Sequence, residues 1–290
     1  MNDFDFLTKT AQTFNLGKIK QFELLNYLTA NKNFVVSCCS GEQYIFRILK
    51  NQTIEGLQEE LLVRDTLESQ GLPTSSFLIN KQGKRFSIVH DHVVTVSPRI
   101  AGTHPTAVTF AMCHEMGRML GKLHNATQTV TLKNRAWLNF EIAQKSLHDL
   151  KNHFAEQTSM SILEKVLWES SKLFELALPQ GVIHGDYHHQ NLLFQGEQIV
   201  AVLDFEESEN NLLILDIAIS VANLNNLSDF SLELLKEHFF AGYETYRFIT
   251  PAEKQAYDMA HNYVCAVCAI WIFNRGYLDI GYNYLAQIQS

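Results

Sequence analysis

HGDYHHQN, residues 184–191, sets an aspartate and an asparagine five residues apart and crowds three histidines around them. Taken alone, the stretch fits a histidine metal cluster, a phosphoryl-transfer loop or a polar surface turn. Its flanks separate these readings. Upstream, GVIH (181–184) reads as a buried strand. Downstream, NLLFQ (191–195) and QIVAVLDF (198–205) read as two more, and Gly196–Glu197 between them suits a two-residue hairpin turn. With that turn Gln195 pairs with Gln198 and Asn191 falls opposite Val202, so Asp204 lies beside Asn191 just past the pairing. Asp186 reaches the same place from the preceding loop.

Two oxygen-bearing side chains at one hairpin end suit a hard divalent cation such as Mg2+, which is held by a carboxylate or two together with waters and substrate phosphates. Asp186 is then left to orient a substrate hydroxyl. The Asp186-to-Asn191 spacing equals that of the protein-kinase catalytic loop, and the DFE of residues 204–206 stands where the same template has DFG. Either fragment alone arises easily by chance; both in this order do not. The zinc reading loses its geometry, because His184 and His188 have helical i, i+4 spacing in a strand-to-turn segment and no HExxH glutamate accompanies them.

The rest of the chain divides in two. Short strands read through FELLNYL (22–28), FVVSCCS (34–40) and YIFRILK (44–50), followed by a helix on which Ile54, Leu57, Leu61, Leu62 and Leu67 recur until Gly71 and Pro73 stop it. SSFLIN (75–80), KRFSIVH (84–90) and HVVTVS (92–97) read as further strands. After Pro98 the turn-rich RIAGTHPT leads into helical periodicity from Ala107 onward, with helices expected near 137–152, 160–177, 212–225, 230–247 and 252–274. The organisation expected is an N-terminal lobe over 1–97, a hinge at 98–104 and a helical C-terminal lobe over 105–290.

Composition narrows the partners. A formal charge of −8 supplies no broad basic face for nucleic acid, and the apolar run 263–273 is shorter than the roughly 20 residues of a membrane helix. MNDFDFLTKT lacks the basic and apolar regions of a signal peptide, so the expected location is the cytosol. Five cysteines form no disulfide framework, and the CxxC of Cys265 and Cys268 lies in an apolar helical stretch as core thiols. Oligomeric state leaves no signal in the sequence.

VIHGDYHHQNLLF and VLDFEES, together with LDIAISVANL, the upstream MGRMLGKLH and the downstream FAGYETYRFITPAEK, resemble the aminoglycoside phosphotransferase and choline kinase family of small-molecule kinases. With IWIFNRGYLD added, the resemblance is greatest to the homoserine-kinase-like branch. It implies an α+β, two-lobed protein-kinase-like fold, with a small antiparallel-sheet N-lobe carrying one helix and a larger, mainly helical C-lobe. It also implies ATP or another nucleoside triphosphate, Mg2+, and a small-molecule hydroxyl acceptor.

Carried over by position, the resemblance makes Asp186 the catalytic aspartate, Asn191 and Asp204 the Mg2+ ligands, and His184 and Asp216 supports of the loop. Arg47 and Glu60 become the ion pair at the nucleotide phosphates. His188 and His189 read as loop residues or substrate contacts. Glu206 and Glu207 read as a solvated loop or an attractor for a substrate ammonium, and Arg275 as a helix-end ion pair or a carboxylate contact.

The loop TANKN (29–33) departs from the protein-kinase template by having no glycine, and the short distance from LDFEES to LLILDIAIS leaves little room for a peptide-docking segment. A protein kinase is therefore disfavoured. The acceptor expected is a small amino alcohol or hydroxy amino acid, homoserine-like, with aminoglycosides and choline-type alcohols as alternatives. A catalytically inactive nucleotide-binding scaffold is the rival from another class.

Overall fold

The computed structural model describes residues 2–25, 31–133, 135–154 and 156–289. Its N-terminal lobe contains α1 (Asp3–Thr13), β1 (Ile19–Leu25), β2 (Lys32–Cys38), β3 (Gln43–Ile48), α2 (Ile54–Ser69), β4 (Ser87–Val89) and β5 (His92–Pro98). The strands form one antiparallel sheet in the order β1-β2-β3-β5-β4. Period-two alternation sends Phe34 and Val36 of β2, Phe46 of β3 and Val94 and Val96 of β5 into one apolar cluster.

Phe6, Leu7 and Ala11 of α1 complete that cluster, so the sheet carries a second helix besides α2. The expected first strand begins three residues earlier than FELLNYL, at Ile19, and its residues 26–28 lie outside the described residues, as do 29 and 30 of the glycine-free loop.

SSFLIN is not a strand of the ladder. Its tie to the sheet is the bond from Leu78 N to Val96 O, 2.7 Å. The Asn80 side chain then accepts from the backbone N–H groups of Gln82 and Lys84, both at 2.9 Å, and closes a turn that competes with strand pairing. KRFSIVH contributes only the three residues of β4 for the same reason.

The C-terminal lobe follows with α3 (Phe110–Ala126), α4 (Phe140–Lys151), α5 (Gln157–Ser170), β6 (Gln180–Ile183), β7 (Leu192–Gln195), β8 (Gln198–Val202) and β9 (Glu209–Leu212). It ends with α6 (Leu213–Asn225), α7 (Leu232–Tyr243), α8 (Pro251–Phe273) and α9 (Leu278–Leu285). The start of α8 is set by a capping box, in which the Thr250 side chain accepts from Glu253 N while Glu253 accepts from Thr250 N. From Tyr263 to Ile270 every residue of α8 is buried, Cys265 and Cys268 included, which makes this helix the axis of the lobe's core. The sequence reading omitted α9 and β9.

Two short antiparallel pairs hold the segment opened above. β6 pairs with β9, Ile183 opposite Glu209, so the chain between Asp204 and Ser208 folds back over the residues that follow β6. β7 and β8 form the expected hairpin with Gln195 opposite Gln198, but a bulge between Leu193 and Phe194 shifts the register. Leu192, not Asn191, therefore faces Val202. Asn191 meets the next residue instead, its carbonyl accepting from Leu203 N at 2.8 Å. The extra β8 residue, Val200, packs with Leu193 around Gly102, where an added Cβ would lie 3.0 Å from each.

Among the described residues no helix is long and apolar enough to cross a membrane.

Candidate active site

The loop after β6 is held from beneath. Asp216, in the first turn of α6 and fully buried, accepts from His184 N at 2.6 Å and Gly185 N at 2.9 Å. Gly185 adopts φ +80°, and a Cβ there would run into the Glu207 carbonyl, so conformation and space both demand glycine. Its own carbonyl accepts from Trp137 Nε1 at 3.0 Å.

His184 is buried and uses both ring nitrogens within the site: Nε2 donates to Leu203 O at 2.9 Å, and Nδ1 accepts from Asp186 N at 3.2 Å. Burial lowers its pKa against the pull of Asp216 and Asp186. His184 thus ties the end of β6 to the segment following β8.

Asp186 projects from this loop toward Asn191. Asn191 Nδ2 donates to both the backbone O and Oδ2 of Asp186, each at 2.9 Å, and His188 Nε2 lies 3.3 Å from the same Oδ2. Burial disfavours the His188 cation, but the Asp186 carboxylate outweighs it and raises the pKa. His189 goes the other way, to about 4, through burial and the proximity of His188 and His104. Of the two expected loop histidines, His188 therefore touches the acid group and His189 does not share its electrostatics.

Asp204 has φ +56°, a left-handed conformation that costs a residue with a Cβ. Its Oδ1 is buried without a hydrogen-bond partner and faces Arg47 Nη1 at 3.6 Å. A strained backbone that presents an unsatisfied carboxylate oxygen one residue past Leu203, whose N–H donates to the Asn191 carbonyl, offers oxygen donors suited to a hard cation. Asn191 and Asp204 are therefore chemically fit to hold one.

The third component comes from the sheet. Arg47 on β3 makes a two-pronged contact with Glu60 on α2, Nη1 to Oε1 at 2.9 Å and Nη2 to Oε2 at 2.6 Å. Gln52 Oε1 accepts from Nη2 at 2.8 Å, and Arg64 adds bonds of 2.9 and 2.7 Å to Glu60 Oε1. Arg47 Nη2 also lies 3.7 Å from Glu206 Oε2, which accepts from Asn31 at 2.6 Å. Arg47 thus spans from the sheet to the segment after β8. The Arg47–Glu60 pair was legible in the sequence; Gln52, Arg64 and Asn31 were not, since isolated polar residues leave no periodic signal.

Burial alone pushes Glu60 up, but Arg47 and then Arg64 outweigh it and hold the group near about 2. Because this folded-state value lies below the ordinary 4.5, Glu60 contributes stability above that value and loses it as pH falls toward about 2. Glu60→Gln removes the carboxylate that Arg47 and Arg64 share, leaving Arg47 only its longer contacts to Asp204 and Glu206, and is expected to cost about 3–5 kcal/mol, measured by urea unfolding at neutral pH.

Glu206 and Glu207 are half-buried, so the solvated-loop reading does not hold. Burial, then the Asp204 charge, raises Glu206 to about 7; burial, then Glu206 and Asp186, raises Glu207 to about 8. A carboxylate raised in the folded state loses stability for the protein as pH climbs from the ordinary 4.5 to the folded value. Glu207→Gln should therefore gain stability relative to the unchanged protein between pH 5 and about 8 and level off above it, as read from paired unfolding curves.

Among the described residues Arg275 makes no ion pair of the helix-end kind expected from the sequence. It lies over the Trp271 ring, 3.3 Å from the centroid, and donates to the Trp271 carbonyl at 3.3 Å. Trp271 in turn packs against Trp137 with ring centroids 5.8 Å apart. Glu207 is the acidic group that bears most on the Arg275 charge. The two tryptophans beside the Asp186 loop were not singled out in the sequence, where each stands alone.

The family model described as "Phosphotransferase enzyme family" matches residues 27–253. A homoserine kinase of Pseudomonas aeruginosa (strain PAO1) is 25% identical over 255 residues, covering 87% of this chain and 80% of that protein. Among solved structures, an amicoumacin kinase in complex with AMP-PNP, Ca2+ and amicoumacin superposes with a TM-score of 0.81 at 16% identity, covering 99% of this chain and 93% of the other. A microcompartment-associated aminopropanol kinase gives 0.80 at 19% identity, covering 97% and 95%. The family match extends from the edge of β2 through the start of α8 and takes in the Arg47–Glu60 pair, the Asp186 loop and the bulged hairpin. The two-lobed kinase-like architecture and this match agree: the chain belongs to the phosphotransferase enzyme family and is a small-molecule kinase with an alcohol group as acceptor.

Proposed function

We propose that this kinase transfers the terminal phosphoryl group of ATP, or of another nucleoside triphosphate, to the hydroxyl of a small hydroxy amino acid of the homoserine type. The observation that carries the reading is the approach of two pairs, Asp186 with Asn191 at 2.9 Å and Asp204 with Arg47 at 3.6 Å, joined where the Asn191 carbonyl accepts from Leu203 N at 2.8 Å.

In this reading Asp186 receives the hydrogen bond of the acceptor hydroxyl and holds its oxygen in line with the terminal phosphorus. The new O–P bond forms as the bridging P–O bond breaks, the electron pair leaves with the nucleoside diphosphate, and the hydroxyl proton passes to Asp186. Asn191 and Asp204 supply oxygen ligands for Mg2+, which when bound neutralises charge on the phosphoryl oxygens. Arg47, held in place by Glu60 and Gln52, adds a fixed positive charge beside Asp204. Alignment of this kind accounts for roughly 7–11 kcal/mol of barrier lowering in well-oriented reactions. Residues 98–104 serve as the hinge between the portions 1–97 and 105–290.

The homoserine-type acceptor is supported by the curated relatives named homoserine kinase and by the charge pattern around Asp186. An arriving substrate ammonium would draw Glu207, raised by burial and its acidic neighbours, toward its charged form, and Arg275, anchored on Trp271, suits a carboxylate. An amino alcohol lacking the carboxylate is the second reading, favoured by the Trp137–Trp271 wall, which accommodates an alkylammonium group equally well.

The test is phosphoryl transfer from Mg-ATP to homoserine, 1-amino-2-propanol, choline and an aminoglycoside, compared as kcat/KM. Homoserine leading the series supports the proposal. An amino alcohol leading it transfers the assignment to the second reading, and nucleotide binding without transfer to any acceptor points to a scaffold.

A further inference from the structure

Helices α3 and α7 cross at unusually short range. Gly117 and Gly121 of α3 lie against the Phe239 and Tyr243 carbonyls of α7, and Gly242 of α7 lies against the His114 carbonyl; a Cβ on Gly121 would sit 2.6 Å from Tyr243 O. This approach brings the Tyr243 hydroxyl within 2.6 Å of His124 Nδ1. His124 Nε2 is in turn 2.9 Å from Asp216 Oδ2, the carboxylate that holds the amides of His184 and Gly185.

On the other side, Arg247 Nη1 donates to the Tyr243 hydroxyl at 3.2 Å and Nη2 meets Glu253 Oε1 at 2.9 Å. Glu253 Oε2 accepts from both the backbone N–H and the hydroxyl of Thr250, each at 2.9 Å. Asp216, Tyr243 and Glu253 are fully buried, and His124 is nearly so.

The donor inventory gives this chain one direction. Arg247 can only donate, so the Tyr243 oxygen accepts from it, and with a neutral imidazole its proton goes to His124 Nδ1. His124 therefore carries its own proton on Nε2, facing Asp216. Packing alone does not call for such an arrangement, since apolar side chains of the same shape fill a helix crossing without the desolvation cost of a hydroxyl and an imidazole. What the polar chain adds is a third fixed donor on Asp216, which stops the carboxylate from turning away from the two loop amides.

We propose that Arg247, Tyr243 and His124 form a positioning relay that sets the orientation of the Asp186 loop from the α7–α8 corner. This rests on Asp186 acting at the acceptor hydroxyl. None of the three touches the reacting atoms; their effect passes through Asp216.

Tyr243→Phe retains the ring and the helix crossing and removes only the hydroxyl. Loss of one buried hydrogen bond acting on the loop is expected to lower kcat per nucleotide-binding site by about tenfold, with KM for nucleotide and acceptor within about twofold. Amide hydrogen exchange at His184 and Gly185 should accelerate while that of α7 stays unchanged. Arg247→Met, which also takes the guanidinium from buried Glu253, should move both readouts in the same direction, and Arg247→Lys should restore part of the loss.

Unchanged exchange at His184 and Gly185 in both Tyr243→Phe and Arg247→Met overturns the relay, as does faster exchange spread evenly over α3 and α7 with kcat per site unchanged. A wild-type rate in Asp186→Asn would instead count against the role of Asp186, and it leaves the exchange comparison free to decide the relay.

Discussion

Asp186→Asn is expected to lower kcat by about 10²–10⁴-fold, the range associated with a positioned general base, while the dissociation constant for Mg-ATP changes by no more than about threefold. The substitution keeps the shape of the side chain but exchanges an acceptor oxygen for a donor or a weaker acceptor. Both present donors to Oδ2, the Asn191 amide and the His188 ring, then face an uncharged group, and the hydroxyl of the acceptor loses the carboxylate that aligns it. Nucleotide binding should survive because its supports, Arg47 with Glu60 and Asp204 past the hairpin, do not depend on the Asp186 charge. Steady-state kinetics combined with calorimetric titration of Mg-ATP separates the two effects. A loss shared equally between rate and nucleotide affinity would show that Asp186 only shapes the site.

The second large effect is expected at Asp204. Asparagine tolerates the left-handed backbone that Asp204 adopts at φ +56°, so Asp204→Asn removes charge with little change in conformation. Turnover at limiting Mg2+ should fall by at least about 100-fold, and the Mg2+ concentration for half-maximal rate should rise by roughly tenfold or more, as expected when a charged ligand of a hard cation is lost. Asp204→Ala loses the charge and also strains the backbone, and should unfold about 1–3 kcal/mol more readily than Asp204→Asn. The comparison isolates the cost of the left-handed backbone for a side chain that cannot bond locally. Equal stability of the two variants would show that the strain is not stored there.

The parts of this molecule that were legible in its sequence are those where a local rule operates. β2 and β3 announce themselves by short β-branched and aromatic runs, and α2 by the recurrence that includes Leu57 and Leu67, although Leu62 of the same recurrence stays exposed. The hairpin was marked by Gly196–Glu197, and the Asp186, Asn191 and Asp204 set by spacing alone. Where tertiary contact decides, the sequence was silent. The bulge that moves Leu192 opposite Val202 depends on Val200 and Leu193 packing around Gly102, which lies far away along the chain. α1 was missed because its short buried stripe of Phe6, Leu7, Thr10 and Ala11 sits among polar residues. β9 was missed because ENNL has neither alternation nor β-branched residues; it is a strand through its pairing with β6.

The same division runs through the site. Residues in a motif could be named in advance, whereas Trp137, Asn31 and Gln52 each stand singly in the chain and reach the site through folding. Glu206 and Glu207 show a further limit. Their composition reads as a solvated acidic turn, and only the pairing of β6 with β9 folds that turn against the Gly185 loop and half-buries it.

The most direct test is a crystal structure of the protein with Mg2+, a non-hydrolysable nucleoside triphosphate and an acceptor alcohol. A cation is expected at about 2.0–2.1 Å from side-chain oxygens of Asn191 and Asp204, with the terminal phosphate lying between that ion and the acceptor and Asp186 hydrogen-bonded to the acceptor hydroxyl. A nucleotide held with its terminal phosphate away from Asp186, or a cation ligated by neither Asn191 nor Asp204, would contradict it.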